Sequence, residues 1–520
     1  MRSTSGLTEG PRPSTSTVRL AVVAVAVAAS VAAAAGIGVR STRGAQVGVD
    51  EPQYLLSAMS LAADGDLDIA DELAAQAWRP FHESELPQQT RLLPDGRRVS
   101  PHDPLLALLL VPSVIAAEAV GVATWVAVKL ALALLAGLLA GLLTWTAVRR
   151  LDVGVPAAAG VVGVFALSAP LAVYGNQIYP ELPAALAVTV AIAALTQGGG
   201  HPLPNRYRIP TTPGQWGAQP VADNWSRGGT WAVTAAVVAL PWLSVKYAPV
   251  AATLAAIALT RRWRAGQRRA AAGIAITLVA AGCVFAVVHL AVYTGLTPYA
   301  AGDHFIAGEL TVAGTAPDFV GRSQRLLGLL VDREFGLAAW QPAWLLLVPA
   351  VVWLLRSRHP QWPVLVAPLA VGWLNATFVA LTMHGYWFPG RQLVVVLPAA
   401  VLAVAVWAQQ WRPARAMAAV LGMLGVSSYV WLVVDGLRGR ITWVTDFWLV
   451  ADPWYQTWSA LLPAYLRPTW LTWLQHGLWL VAAAGATGWA WHAAGRQASA
   501  SAAPITYQQP RADAAVTRHG

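Results

Sequence analysis

Apolar stretches of bilayer-crossing length recur along this chain, and they restrict its fold more than any other feature. The first, residues 18–39, is long enough at about 1.5 Å of rise per residue to cross a hydrocarbon core of about 30 Å. Others follow at 122–148, 155–173, 183–195, 270–293, 336–355, 363–383, 394–411, 416–434 and 471–493, and 231–259 reads as a short hairpin with its tip at 242–247. Only 12% of residues are charged, against the roughly 25% of a soluble domain. The pattern is that of an all-α polytopic membrane protein.

The basic residues then orient the spans. A net charge of +10 invites a nucleic-acid reading, but the arginines fall in short clusters between apolar runs, where they act as topology signals. One ambiguity decides the count. If residues 104–119 and 122–148 both crossed, every later loop would change sides. If only 122–148 crosses, then Arg149-Arg150, Arg206/Arg208/Arg227, Arg261 to Arg269, Arg356/Arg358 and Arg412/Arg415 all face the cytoplasm, as short basic loops should. Sixteen residues is also short for a span, so 104–119 is expected to be re-entrant or in-plane.

This reading gives about twelve crossings. Residues 1–17 form a cytoplasmic tail, 18–495 the membrane domain and 496–520 a disordered cytoplasmic tail. The long extracytoplasmic loops lie at about 40–103, 294–335 and 435–469, and the first is expected to carry interfacial helices, with 58–78 as one amphipathic segment. The single cysteine, Cys283, excludes an intramolecular disulfide and a thiolate metal cluster, and is expected to serve packing.

Two adjacent acids stand just past the first span, in Gly48-Val49-Asp50-Glu51-Pro52-Gln53-Tyr54. Carboxylates there are costly unless used. Downstream come Ser100-Pro101-His102-Asp103-Pro104-Leu105, Tyr174-Gly175-Asn176-Gln177-Ile178-Tyr179-Pro180-Glu181-Leu182, Asp332-Arg333-Glu334-Phe335-Gly336-Leu337 with Pro342, and Gly390-Arg391-Gln392-Leu393 with Pro398. Their order and spacing resemble the GT-C class of polyprenyl-phosphate-sugar-dependent glycosyltransferases, in particular the protein O-mannosyltransferases and lipid A aminoarabinose transferases. The usual Pro-Pro-Leu stands here as Asp103-Pro104-Leu105.

The resemblance implies a GT-C-like fold with an outward-facing site in the plasma membrane. There a hexosyl or pentosyl group would pass from a polyprenyl-phosphate donor to a hydroxyl of a cell-envelope glycan, lipid or protein, with inversion. An attacking hydroxyl must lose its proton, and Asp50 is the carboxylate assigned to take it, with Glu51 orienting it. The same acids also suit a helix start, with Pro52 in the first turn. Glu181 either binds the acceptor, or holds a divalent cation (Mg or Mn) bridging to the donor phosphate, or is simply a helix-start acid. No cofactor is otherwise implied.

Lys246, one of two lysines beside Lys129, and Arg391 suit a lipid phosphate; a snorkelling lysine and an interfacial anchor are the alternatives. Tyr54 and Tyr179 are expected beside the substrate. His102 and Asp103 either shuttle a proton in that site or hold the in-plane segment. Asp303, His304 and Glu309 read as a solvated loop, and the tryptophans at 443–473 as an aromatic belt. No Gly-rich phosphate loop follows a strand, which disfavours a nucleotide-sugar donor. Two other classes stay open: a transporter or flippase for lipid-linked sugars, which needs ionisable groups at mid-membrane, where Lys129 and His289 lie, and a non-catalytic partner in cell-envelope assembly.

Overall fold

The computed structural model describes residues 14–196, 227–302 and 318–502. Residues 1–13, Arg206, Arg208, Asp303, His304, Glu309 and 503–520 lie outside them. The described residues form helices and turns, with isolated bridges as the only β pairing among them.

The first helix, α1 (Thr15–Ala35), is capped by the Ser14 hydroxyl, which accepts from the Thr17 N–H at 3.1 Å. At its other end, carbonyls that a helix leaves unpaired are met by side chains from distant segments: Ala32 O by Tyr429 Oη, Ala33 O by Asn176 Nδ2 and Gly36 O by Trp443 Nε1. Trp443 is thus fully buried rather than part of an interfacial belt, whereas Trp448, Trp470 and Trp473 are exposed.

After α1 the chain turns into α2 (Glu51–Ala63) and α3 (Ala70–Ala74), then α4 (Leu105–Val120) and α5 (Thr124–Arg150). Residues 58–78 are therefore two helices broken by a turn, not one amphipathic segment; Asp64, Gly65 and Asp66 interrupt the apolar pattern there. Helix α5 lies along α1 through Gly137 and Gly141, one turn apart, which meet Ala26, Ser30 and Val22 so closely that a Cβ on Gly137 would lie 2.1 Å from Ser30 Oγ. Small residues at this spacing let membrane helices approach backbone to backbone.

Nearer the start of α5, the buried Lys129 ammonium donates to Gln46 O, beyond the end of α1. Helix α5 therefore begins on the side where α1 ends. Helix α4 leaves from Asp103, which touches Val245 on that side, and stops at Gly121, just before α5, so it starts and finishes on one side.

Then come α6 (Val155–Ala166), α7 (Leu171–Tyr174) and α8 (Glu181–Leu195), followed by α9 (Arg227–Leu243) and α10 (Ala248–Arg264), which form the expected hairpin around a turn at Val245–Tyr247. Helix α11 (Arg268–Tyr293) is apolar and little buried, and Cys283 is exposed on it rather than packed. Short helices α12 (Phe319–Arg322), α13 (Arg325–Val331) and α14 (Leu337–Trp340) precede α15 (Leu347–Arg356) and α16 (Trp362–Leu374). The centre of the bundle is α17 (Leu397–Gln410), buried from Leu397 to Ala408, and α18 (Arg412–Leu437), α19 (Pro453–Ser459) and α20 (Trp470–Ala502) complete it. Helix α20 runs past 496, where the tail is expected to begin.

Six helices among the described residues are long and apolar enough to cross a membrane, and five shorter apolar ones accompany them. This is a multi-pass membrane protein, though these helices do not fix the number of crossings at twelve.

Candidate active site

Four charged side chains from four distant segments meet on the side where α1 ends. Asp50 is the N-cap residue of α2, yet its carboxylate makes no capping bond. It points instead to Arg391, accepting from Nη1 at 2.9 Å through Oδ2. The Arg391 Nε donates to Glu181 Oε1 at 2.9 Å, and Lys246 Nζ reaches the same oxygen at 2.7 Å. Two anions and two cations thus form one chain of ion pairs.

Each is placed by local sequence. Val49, before Asp50, holds φ at +59°, a left-handed value costly for a β-branched residue, and its carbonyl is fixed by Gln89 Nε2. Pro180 starts α8, so Glu181 falls in its first turn, fully buried. Ser244 breaks the α9–α10 hairpin in extended backbone, which puts Lys246 at its tip. Gly390 turns at φ +86°, packed on Leu337 and Pro170 where a Cβ would clash, and Arg391 opens the turn that leads into α17.

Aromatic rings line the cluster. The Arg391 guanidinium lies 4.1 Å from the Tyr179 ring centre and 5.6 Å from that of Trp387, while Lys246 Nζ is 5.2 Å from the Tyr247 ring. Tyr54 packs on His102, ring centres 4.3 Å apart, and Tyr174 Oη donates to Phe388 O, tying down the segment before Arg391. Three polar atoms here are buried without a hydrogen-bond partner: Glu181 Oε2, Tyr179 Oη and Tyr247 Oη. Tyr174, Tyr247 and Trp387 are not among the site residues expected from sequence, although Tyr174 opens the motif that ends at Leu182, Tyr247 follows Lys246 directly and Trp387 stands four residues before Arg391.

The remaining expected residues divide. Glu51 is fully buried, and both its oxygens accept backbone N–H groups, from Ile178 at 2.8 Å and Gly48 at 3.3 Å. It latches the start of α2 to the segment carrying Tyr179. Asp103 turns away from the cluster: Oδ2 accepts from Val245 N at 2.9 Å, and Oδ1 pairs with His289 Nε2 at 3.0 Å. His102 stays beside Tyr54, with Nδ1 3.0 Å from Ser100 Oγ.

Burial pushes the Asp50 carboxyl up, but Arg391, His102 and Lys246 together outweigh it, and the group is held below the usual carboxylate range. Burial lowers His102 to about 4, so it is neutral at physiological pH. A divalent cation at Glu181 does not fit these residues. Its Oε1 already carries an ammonium and a guanidinium, Asp50 is turned to the far side of Arg391, and two fixed cations this close repel a divalent ion from the oxygen that remains. What the pair of cations can take is an anion, displacing a carboxylate from Arg391 or Lys246.

No protein-family model and no curated protein matches the chain. Among solved structures, the crystal structure of ArnT from Cupriavidus metallidurans bound to undecaprenyl phosphate is similar, with a TM-score of 0.50 and 17% sequence identity over 94% of this chain and 76% of that one. At that identity the likeness establishes a shared fold: the chain has the ArnT-like GT-C fold.

Proposed function

We propose that this chain is a GT-C glycosyltransferase that moves a sugar from a polyprenyl-phosphate donor to a hydroxyl acceptor. The reading rests on one observation: Arg391 bridges Asp50 and Glu181 beside Lys246, within a fold shared with a protein crystallised with undecaprenyl phosphate.

In this mechanism the donor phosphate docks on Arg391 and Lys246, whose charges balance the anion that grows as the sugar leaves. The acceptor oxygen attacks the anomeric carbon and gives its proton to Asp50. The bond from that carbon to the phosphate oxygen breaks with its electron pair passing to the phosphate, and polyprenyl phosphate departs. One base and one displacement give inversion. Asp50 suits the task better than Glu51, because its side chain is 25% exposed and its Oδ1 is not committed, whereas both Glu51 oxygens are. While Arg391 lies against it Asp50 is a weak base, and a phosphate sharing that guanidinium raises its proton affinity. The site opens outward, to the extracytoplasmic side, under the positive-inside assignment of the basic loops.

Weighing against the transporter reading, Lys129, bonded to Gln46 O, and His289, paired with Asp103, both stand toward the side where α1 ends rather than midway along their helices. The test incubates purified protein with radiolabelled polyprenyl-phosphate sugars and a membrane-lipid or glycan acceptor fraction. Release of polyprenyl phosphate with label moved to the acceptor is expected for one donor. Movement of intact donor across vesicles, without cleavage, would replace the reading by that of a flippase.

A further inference from the structure

Outside that cluster, the turn between α2 and α3 gathers acids. Asp64 ends α2, Asp71 and Glu72 lie in α3, and one carboxylate oxygen from each stands within 4.8 Å of the other two. Glu72 is only 8% exposed, and its Oε2 is buried without a hydrogen-bond partner. No lysine, arginine or histidine among the described residues forms an ion pair with any of the three.

The neighbouring acids differ. Asp66 Oδ1 accepts from Ser60 Oγ and Asp68 N, and Asp68 Oδ1 accepts from Ala70 N and Arg98 N; they build the turn. Asp64, Asp71 and Glu72 make no such bond to the turn; burial and the Asp71 carboxyl beside it push Glu72 up to about 8, so the cluster shares a proton, while Glu72 Oε2 is left without a partner for a cation to meet.

We propose that Asp64, Asp71 and Glu72 form a Ca²⁺ site at the C-terminal end of α2, separate from the candidate active site. The donors are all carboxylate oxygen, with no histidine or cysteine, which selects a hard cation. The three oxygens lie within 4.8 Å of one another, and two oxygens bonded to Ca²⁺ at about 2.3–2.6 Å can stand as far as roughly 4.6–5.2 Å apart. A set of carboxylates without a ready octahedron suits Ca²⁺, whose geometry is flexible, better than Mg²⁺, which demands an octahedron and keeps most of its water. The negative end of the α2 dipole also faces this turn, where Gly65 takes a left-handed φ of +80°.

The position gives the ion something to do. Helix α2 is preceded by its N-cap residue Asp50 and carries Tyr54, and Ile69 N bonds Arg98 O at 2.8 Å on the segment that runs on to His102. An ion bound here would stiffen both limbs that reach the candidate site.

The test uses full-length protein in detergent, stripped with chelator and then titrated with CaCl₂ alone, read by calorimetry and thermal unfolding. Saturable binding of one Ca²⁺ is expected, with a Kd on the order of 0.1–1 mM, together with a rise in Tm and weaker binding of Mg²⁺. Glu72→Gln, and Asp64→Asn at an exposed position, should each weaken binding by about tenfold or more, while Glu181→Gln leaves it unchanged. Without Ca²⁺, Glu72→Gln should unfold no earlier than wild type, because the carboxamide keeps the neutral, donating shape of the protonated carboxyl; a large loss of stability without Ca²⁺ would mark a merely structural acid. No saturable binding by wild type, unaltered binding by both carboxamide variants, or loss of binding in Glu181→Gln alone would each overturn the site. None of these readouts depends on sugar transfer.

Discussion

Two buried charge assemblies lie on the same side of this protein, joined through the backbone of Val245-Lys246, and they are finished to different degrees. In the first, Asp103 and His289 are 4% and 0% exposed; both carboxylate oxygens are bonded, and His289 Nδ1 bonds Phe285 O. In the second, Asp50 and Lys246 side chains are each 25% exposed, and Glu181 Oε2, Tyr179 Oη and Tyr247 Oη have no partner. A buried polar atom left unpaired costs about 1–3 kcal/mol, so a fold keeps several together where something else supplies the partner. Closed satisfaction marks a brace, and spare valence beside an opening marks a place for a ligand.

The largest expected effect breaks the comparison at its open end. Asp50→Asn keeps the shape but removes the proton acceptor, and transfer from a radiolabelled lipid-phosphate sugar should fall about 10²–10⁴-fold. Stability should fall only modestly, because the ion pair with Arg391 is lost while Arg391 keeps Glu181 and the Asp50 side chain makes no helix cap. A folded Asp50→Asn protein that transfers at the wild-type rate would put Asp50 in the same class as Asp103.

The closed end should give the inverse result. In Asp103→Leu both bonds are lost, the Val245 N–H and His289 Nε2 are left buried without a partner, and unfolding should come earlier by about 2–3 kcal/mol. Transfer per folded molecule should shift less than about tenfold, through the displaced Lys246 turn alone. Thermal unfolding beside the same transfer assay separates the two outcomes, and a stable but inactive Asp103→Leu would erase the distinction drawn between the assemblies.

What was legible in advance follows the range of the physics involved. The spans, the hairpin tip at Lys246 and the one-sided course of α4 were readable because hydropathy, basic flanks and helix length act over about twenty residues. Sequence position also points to Asp50, Glu181, Lys246 and Arg391 as charged groups at outer span ends that would share one site. That Arg391 would bond Asp50 could not be read, because 341 positions separate them and no local periodicity records such a pairing. The roles within adjacent pairs were hidden for a related reason. Glu51 and Asp50 are neighbours, as are His102 and Asp103, yet one of each pair faces the cluster and the other serves the backbone or His289. Which one turns inward depends on the turn geometry at Val49 and Ser100, and that is set by tertiary contacts such as Gln89 to Val49 O.

His102 stands between the two assemblies, and its titration gives the smallest and most selective effect. Its proton affinity is lowered from 6.5 to about 4 by burial, so the folded protein resists protonating it where the unfolded chain does not. The stability it contributes is therefore intact above pH 6.5, shrinks as pH falls through the window from 6.5 to about 4, and is gone below. At pH 5 the loss should be about 1–2 kcal/mol. Asp50 adds no slope there, because a depressed carboxyl loses its contribution only below the ordinary carboxylate range. Denaturant unfolding of wild type and His102→Gln at pH 7 and pH 5 isolates the term, since other buried histidines such as His359 titrate in both proteins and cancel in the difference. A gap between the two proteins that does not change with pH would mean that His102 is solvated, and that the open cluster extends past Tyr54 to the edge of the Asp103 brace.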